Sequence, residues 1–436
     1  MRQVAATPAR LARTAAPAYA KTSIQEAILW LYRLILRIAA PALAAHALWQ
    51  RLTGRTGPGA LSERLGIAPT PGAAVWLHGA SNGELASARW LIERLLAARP
   101  ELSMVVTSNS ATARAMVAGW DLPGVTARLA PFDTPGAVAR FRTRWRVRVL
   151  IVLENELWPE RIAQMALAGP VMAVGARMSE RSASGWRRRA PGLIAGTLRR
   201  LTLVSAQDAG SEARLIALGL PQERIGPRLM LKAHTAPMTA AAPFPAPAPR
   251  GRILLAASTH TGEEAAILAA FAAARDRFDL LILAPRHPRR SAEVAGLIAA
   301  AGLPFTTRSA GEAPGPDTVV YLADTMGEMA HWYAMAGTTL IGGTFCAAGG
   351  HTPYEPAAFN SALLHGPSVH NFAEVFAALD AAGGAVAIAD AAALSEALRA
   401  FTPDAQAACA AAAAQVLGTP EGGEALLAAI LIRLDA

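Results

Sequence analysis

The sequence predicts an α/β protein: two domains, each a parallel sheet flanked by helices, behind an apolar amino-terminal helix. Three observations carry this. From about residue 73 onward, short apolar strands alternate with helical stretches, the pattern of βαβ units. The stretch 233–250, AHTAPMTAAAPFPAPAPR, has neither helical nor strand periodicity and divides that alternation in two. Residues 24–52 form an apolar run long enough to cross a bilayer.

A chain of 436 residues has room for two or three ordinary domains. With 53% hydrophobic and 17% charged residues, sizeable cores can form. A net charge of +9 suggests an anionic partner: nucleic acid, anionic lipid or a phosphorylated substrate. Cys346 and Cys409 show neither metal-ligand spacing nor a disulfide framework, which points to a reducing cytosolic setting.

Residues 1–22 carry Arg2, Arg10, Arg13 and Lys21 and no acid, and read as a basic flexible tail rather than a transit peptide. Residues 23–52 read as a membrane anchor helix. Arg33 and Arg37 are four apart and share a face, while Ile28, Leu31, Leu34, Ile35 and Ile38 broaden the other. Trp30, Tyr32 and Trp49 are interfacial types. The expectation is an in-plane helix with snorkelling arginines rather than a span, the alternative being a buried core helix.

The first domain, 53–232, is organised around Val75-Trp-Leu-His-Gly-Ala-Ser-Asn-Gly-Glu-Leu85, a strand, a tight loop and a helix start. Gly79 and Gly83 let the backbone turn and approach a ligand. Glu84 then stands at a helix start beyond the carboxyl end of a strand, the usual ligand position in open α/β sheets. Ser81 and Glu84 also fit an S-x-x-E capping box, the structural alternative. Further strands are expected at Met104–Thr107, Ala127–Ala130, Val149–Leu153, Val171–Val174 and Leu201–Ser205. Several end in polar groups: Thr107–Ser110, Glu154-Asn-Glu-Leu-Trp-Pro159 and Gly175–Arg181. Arginines alternate with other residues from Arg140 to Arg148 and recur at Arg187–Arg189, Arg199 and Arg200. No nucleic-acid module accompanies them, so an anionic membrane surface is the expected partner rather than nucleic acid.

The second domain, 251–436, repeats the alternation at Ile253–Ala257, Leu280–Ala284, Val319–Leu322, Thr338–Ile341, Ala362–Leu364 and Ala385–Ile388. Two Rossmann-like domains with a cleft between them make a GT-B-like architecture, and the last helix is free to return to the first domain. The polar strand ends here read as a nucleotide site: Ala257-Ser-Thr-His-Thr-Gly-Glu-Glu264, Pro285-Arg-His-Pro288, Asp324-Thr-Met-Gly-Glu328 and Gly349-Gly-His-Thr-Pro-Tyr-Glu-Pro356. Arg286 can pair with a phosphate in fork geometry, and Glu355 can accept from ribose hydroxyls.

Taken in order, these motifs and the segment His365-Gly-Pro-Ser-Val-His-Asn-Phe372 resemble the bacterial 3-deoxy-D-manno-octulosonic acid (Kdo) transferases from about residue 25 to 390. The resemblance implies a glycosyltransferase that moves Kdo from CMP-Kdo to a lipid A precursor, lipid IVA, with inversion. It implies work at the cytoplasmic face of the inner membrane, in lipopolysaccharide core biosynthesis. It makes Glu84 the general base, with Glu156 (or Glu154) and Lys232 stabilising the transition state. It assigns CMP contacts to Pro285 and Arg286, to the turn Gly327, Glu328 and Met329, and to Thr352, Pro353, Tyr354 and Glu355. Asn155 and Thr352 depart from the family's usual Thr and Asn.

A sugar hydroxyl is a poor nucleophile and needs a base, for which Glu84 has the right character. Arg286, Lys232 and a helix start can stabilise a leaving phosphate without a metal, so no metal or other cofactor is expected. The rival readings are a GT-B enzyme or epimerase using a UDP-sugar, and a non-catalytic lipid-binding membrane protein.

Overall fold

The structure is a computed structural model that describes residues 18–53, 56–234, 243–417 and 422–435. The expected basic tail up to residue 17, and residues 235–242 of the expected linker, lie outside the described residues. The chain divides into two compact units. One holds residues up to 82, 98–227 and 428 onward; the other holds 83–97 and 228–427.

In the first unit, β1 (Val75–His78), β2 (Met104–Ser108) and β3 (Val125–Leu129) precede β4 (Val149–Leu153), β5 (Val171–Ala176) and β6 (Leu203–Ala206). They form one parallel sheet in the order β3-β2-β1-β4-β5-β6. Helices cover both faces, so β1, β2, β4 and β5 are buried at every residue and read as continuous apolar runs rather than alternations. Strand order reverses between β1 and β4, and a ligand crevice is expected at their carboxyl ends.

Two strands start at residues other than those expected. β6 starts at Leu203 because Leu201 still closes the preceding helix, its N–H bonded to the Leu198 carbonyl at 3.2 Å. β3 starts earlier, at Val125, because the Gly124 carbonyl already accepts from Met104 at 2.8 Å. The alternating arginines are also mostly helical, over Pro135–Trp145. There Phe141 and Trp145, four apart, stack at 5.7 Å, and Phe141 lies 4.4 Å from Trp76 in the core. Arg142 and Arg144 fall in the last turn, where cations suit the helix dipole.

The second unit carries β7 (Ile253–Thr259), β8 (Leu280–Pro285), β9 (Phe305–Thr307) and β10 (Val320–Leu322). β11 (Thr338–Ile341), β12 (Ala362–His365) and β13 (Val386–Ala387) follow. This sheet is also parallel, in the order β13-β12-β11-β7-β8-β10-β9, and reverses between β7 and β11. β9 went unread in the sequence: it is a three-residue, half-buried edge strand, too short to show a period.

The amino-terminal helix runs unbroken from Ala18 to Leu52, through Pro41. Its inner face docks on the first unit. Leu29 and Ala47 are buried, Tyr32 donates to Asp133 Oδ2 at 2.9 Å, and Arg33 Nε meets Glu160 Oε2 at 2.6 Å. Its outer face leaves Trp30, Leu31, Ile35 and Ile38 exposed, Ile38 at 72%. The expectation of snorkelling arginines is therefore corrected for Arg33, which pairs with a buried carboxylate because the helix presents it to the protein; Arg37 stays exposed. At the other end of the chain, Arg433 Nε donates to the Thr202 carbonyl at 3.3 Å and Asp435 pairs with Arg99 at 2.7 Å.

Candidate functional site

In the first unit, the reversal of strand order places two carboxyl-end groups side by side. His78 ends β1 wholly buried, and Glu156 follows β4 by three residues. His78 Nε2 lies 2.8 Å from Glu156 Oε2. The same oxygen takes the Trp158 indole N–H at 2.6 Å and the Asn109 amide at 3.2 Å. Behind the histidine, the Trp76 indole donates to Thr107 Oγ1 at 2.7 Å, and that hydroxyl lies 2.9 Å from His78 Nδ1. A neutral imidazole with its proton on Nε2 satisfies the whole chain: Thr107 donates to Nδ1 and Nε2–H donates to Glu156.

The electrostatics agree with that assignment. Burial, joined by the nearby Arg161 cation, pushes His78 down to about 4. Burial alone would raise the Glu156 carboxyl, but hydrogen bonds from His78 and Trp158 outweigh it and hold the group at about 2. With His78 neutral, three N–H donors are what favour the ionised carboxylate. Glu156 is thus a fixed anion ringed by donors. Glu154, the other candidate, sits at φ 46° where β4 ends, its backbone N–H bonded to the Val174 carbonyl at 3.1 Å.

Glu84 is the third residue of the helix Asn82–Ala98 and is half-buried. That helix, from residue 83 to 97, groups with the second unit rather than with the sheet that precedes it.

In the second unit, the reversal between β7 and β11 brings two loops together. Glu263, buried, accepts from His260 N at 2.8 Å, Gly343 N at 2.8 Å and Phe345 N at 2.9 Å. One carboxylate therefore pins the glycine-rich loop after β11 to the loop after β7. Further along, Gly349 has φ 85°, and a Cβ there would come within 2.3 Å of the His370 ring, so only glycine fits. His260 and His351 stack with ring centroids 5.2 Å apart.

Lys232, Arg286 and Glu355 come together around this loop. Burial raises the Glu355 carboxyl, while Lys232, the Tyr333 hydroxyl and Arg286 pull it back down. The Tyr333 hydroxyl hydrogen-bonds to it, and no side chain caps the short helix Tyr354–Ala358 at its Pro353 N-cap. Thr352 Oγ1 instead accepts from Tyr354 N at 3.4 Å. Burial, then the nearby His260 ring and the Arg286 and Lys232 cations, push His351 down to about 4. An anion bound there would reverse that electrostatic effect. If this loop holds the CMP phosphate that the resemblance implies, adding CMP should move the His351 titration midpoint upward from about 4, read by NMR of its ring. An unmoved midpoint with CMP saturating would place the phosphate elsewhere.

Not every expected residue has a free side chain. Pro285 ends β8, and Arg286 follows it exposed. Glu328 is bound by Arg308 at 2.6 Å and by Thr325, so the Gly327–Met329 turn offers a ligand its backbone rather than this carboxylate. Conversely, His78, Asn109, Trp158 and Glu263 were not singled out as site residues. All four stood inside the quoted motifs, but nothing in one-dimensional spacing said which groups they would meet.

Comparison with known proteins shows the family. A family profile described as 3-deoxy-D-manno-octulosonic-acid transferase (kdotransferase) matches residues 59–235. The 3-deoxy-D-manno-octulosonic acid transferase of Bordetella pertussis is 33% identical over 390 residues, covering 83% of this chain and 88% of that protein. That of Haemophilus influenzae is 32% identical over 339 residues, 72% of this chain and 77% of its own. The crystal structure of a glycosyltransferase from Rickettsia africae superposes with a TM-score of 0.53 at 12% identity, over 84% of this chain and 98% of that one, a likeness of fold alone. With a third of its residues shared along most of the length of these relatives, the chain belongs to the 3-deoxy-D-manno-octulosonic acid transferase family of glycosyltransferases.

Proposed function

We propose that this glycosyltransferase moves Kdo from CMP-Kdo to a hydroxyl of a lipid A precursor, with inversion at the anomeric carbon. Glu84 takes the proton of the acceptor hydroxyl as its oxygen bonds to that carbon. The bond from the carbon to the phosphate oxygen breaks, and CMP leaves with the electron pair. Positive charge develops on the sugar and negative charge on the phosphate. The fixed anion of Glu156 answers the first, and Lys232 and Arg286 the second.

The donor assignment is carried by Lys232 and Arg286, which act electrostatically on both Glu355 and His351 of one glycine-rich loop. In this reading Pro285 and Arg286 border the phosphate, as does the Gly327–Met329 backbone turn, where Glu328 serves through its main chain. Thr352, Pro353 and Tyr354 shape the loop that presents Glu355 to the ribose. The exposed apolar face of the amino-terminal helix, with the positive net charge, suits a helix lying in the anionic cytoplasmic surface of the inner membrane.

The direct test is incubation with CMP-Kdo and a lipid A precursor followed by mass analysis, with UDP-sugars as the competing donors. An added Kdo residue is expected; transfer from a UDP-sugar in its place would overturn the donor. Within the site, Glu355→Ala should weaken CMP binding by roughly ten- to a hundredfold, the worth of a charged hydrogen bond. A lowered melting temperature with CMP affinity unchanged would reduce Glu355 to a structural partner of Tyr333.

A further inference from the structure

The inner face of the amino-terminal helix is more specific than an anchor requires. A helix held only by lipid needs an apolar outer face, yet Tyr32 and Arg33 reach inward to two buried carboxylates, Asp133 and Glu160. Both acids converge on the helix Pro159–Met165. Asp133 accepts from the backbone of Glu160 at 3.1 Å and of Arg161 at 2.8 Å, which satisfies two N–H groups of that helix's first turn. Glu160 is itself held by Arg33 and by Gln164 at 2.6 Å.

That first turn begins three residues after Glu156. The Trp158 N–H donates to the Glu156 carbonyl at 3.0 Å, and the Trp158 side chain donates to the Glu156 carboxylate. Wherever the helix start is held, the Glu156 side chain is held as well. Arg161 supplies a second connection. It is buried with its guanidinium 5.1 Å from the Trp76 ring, and two of its nitrogens, Nε and Nη1, have no hydrogen-bond partner among the described residues. Asp133 and Glu156 together balance its charge.

We propose that the amino-terminal helix is a positioning element of the Glu156 site: Tyr32 and Arg33 hold the start of the Pro159–Met165 helix, and through it set the Glu156 carboxylate against His78, Asn109 and Trp158. Docking of this helix is then a condition for turnover, separate from attachment to a membrane. The inference rests on the catalytic reading of Glu156.

The test uses the full chain with vesicle-borne acceptor and four readouts: kcat, KM for CMP-Kdo, cosedimentation with vesicles, and hydrogen exchange over residues 154–162. Tyr32→Phe keeps the ring and removes only the hydroxyl. It should lower kcat roughly tenfold, as small misplacements of reacting groups do, with KM for CMP-Kdo and cosedimentation unchanged. Exchange over 154–162 should quicken in the same variant. Arg33→Lys should retain more activity than Arg33→Met. In a Glu156→Gln background, Tyr32→Phe should add no further loss. Unchanged kcat in both Tyr32→Phe and Arg33→Met overturns the proposal, as does a loss of activity that merely follows release from vesicles. Full turnover by Glu156→Gln alone would remove the catalytic reading of Glu156; exchange over 154–162 would then decide alone whether the helix sets this segment.

Discussion

Glu84→Gln should lower turnover by about 10²–10⁴-fold, the usual worth of a general base, while CMP binds about as before. The amide keeps the size and hydrogen-bonding reach of the carboxylate but cannot accept the acceptor's proton. Because Glu84 occupies the third position of a helix that follows β1, its side chain is carried by regular structure rather than by a mobile loop. Single-turnover transfer and CMP affinity, measured on the same preparation, check the assignment. Turnover within tenfold of the unaltered enzyme would remove Glu84 from the role of base. Equal losses of turnover and CMP affinity would instead point to a disturbed helix start, as the capping reading of Ser81 and Glu84 requires.

Arg290→Met should destabilise the second unit by about 3–5 kcal/mol, the cost of leaving a buried charge without its partner. Glu264 is 0% exposed, and Arg290 clasps both of its oxygens, at 2.6 and 3.1 Å. Thr259 at 2.9 Å would be its one remaining partner among the hydrogen bonds of the described residues. In a unit of this size the loss corresponds to a fall in Tm of roughly 6–20 °C by calorimetry. Pairing the substitution with Glu264→Met should restore much of the stability, because two apolar side chains leave no buried charge. A single variant that melts normally would mean that Glu264 protonates or rearranges at little cost.

The sequence by itself determined the chemistry of the parts. Strand–helix alternation on both sides of a Pro/Ala-rich stretch is enough for two parallel sheets, because a parallel strand must be buried on both faces and so stays apolar throughout. The polar residues that interrupt those runs fall where strands end, which is how Glu84, Arg286 and Glu355 could be named as candidates from position, whereas Glu156 was preferred to Glu154 only through the family resemblance. The short edge strand β9 escaped, and the arginine run from 140 to 148 concealed a helix, because period can be read only over several turns or several residues of one face.

Only the tertiary structure decided which groups meet. That His78 would hold Glu156 and not Glu154 depends on the reversal of strand order between β1 and β4, a contact across 78 residues that no local pattern encodes. That Glu263 would bind two loops, one of them 80 residues away, depends in the same way on β11 lying beside β7. The clearest case is Arg33. Hydropathy assigns its helix to a membrane surface, but composition is symmetric about the helix axis until a neighbour breaks the symmetry. The buried Glu160 does so, turning one arginine of the pair inward to a carboxylate and leaving Arg37 in solvent.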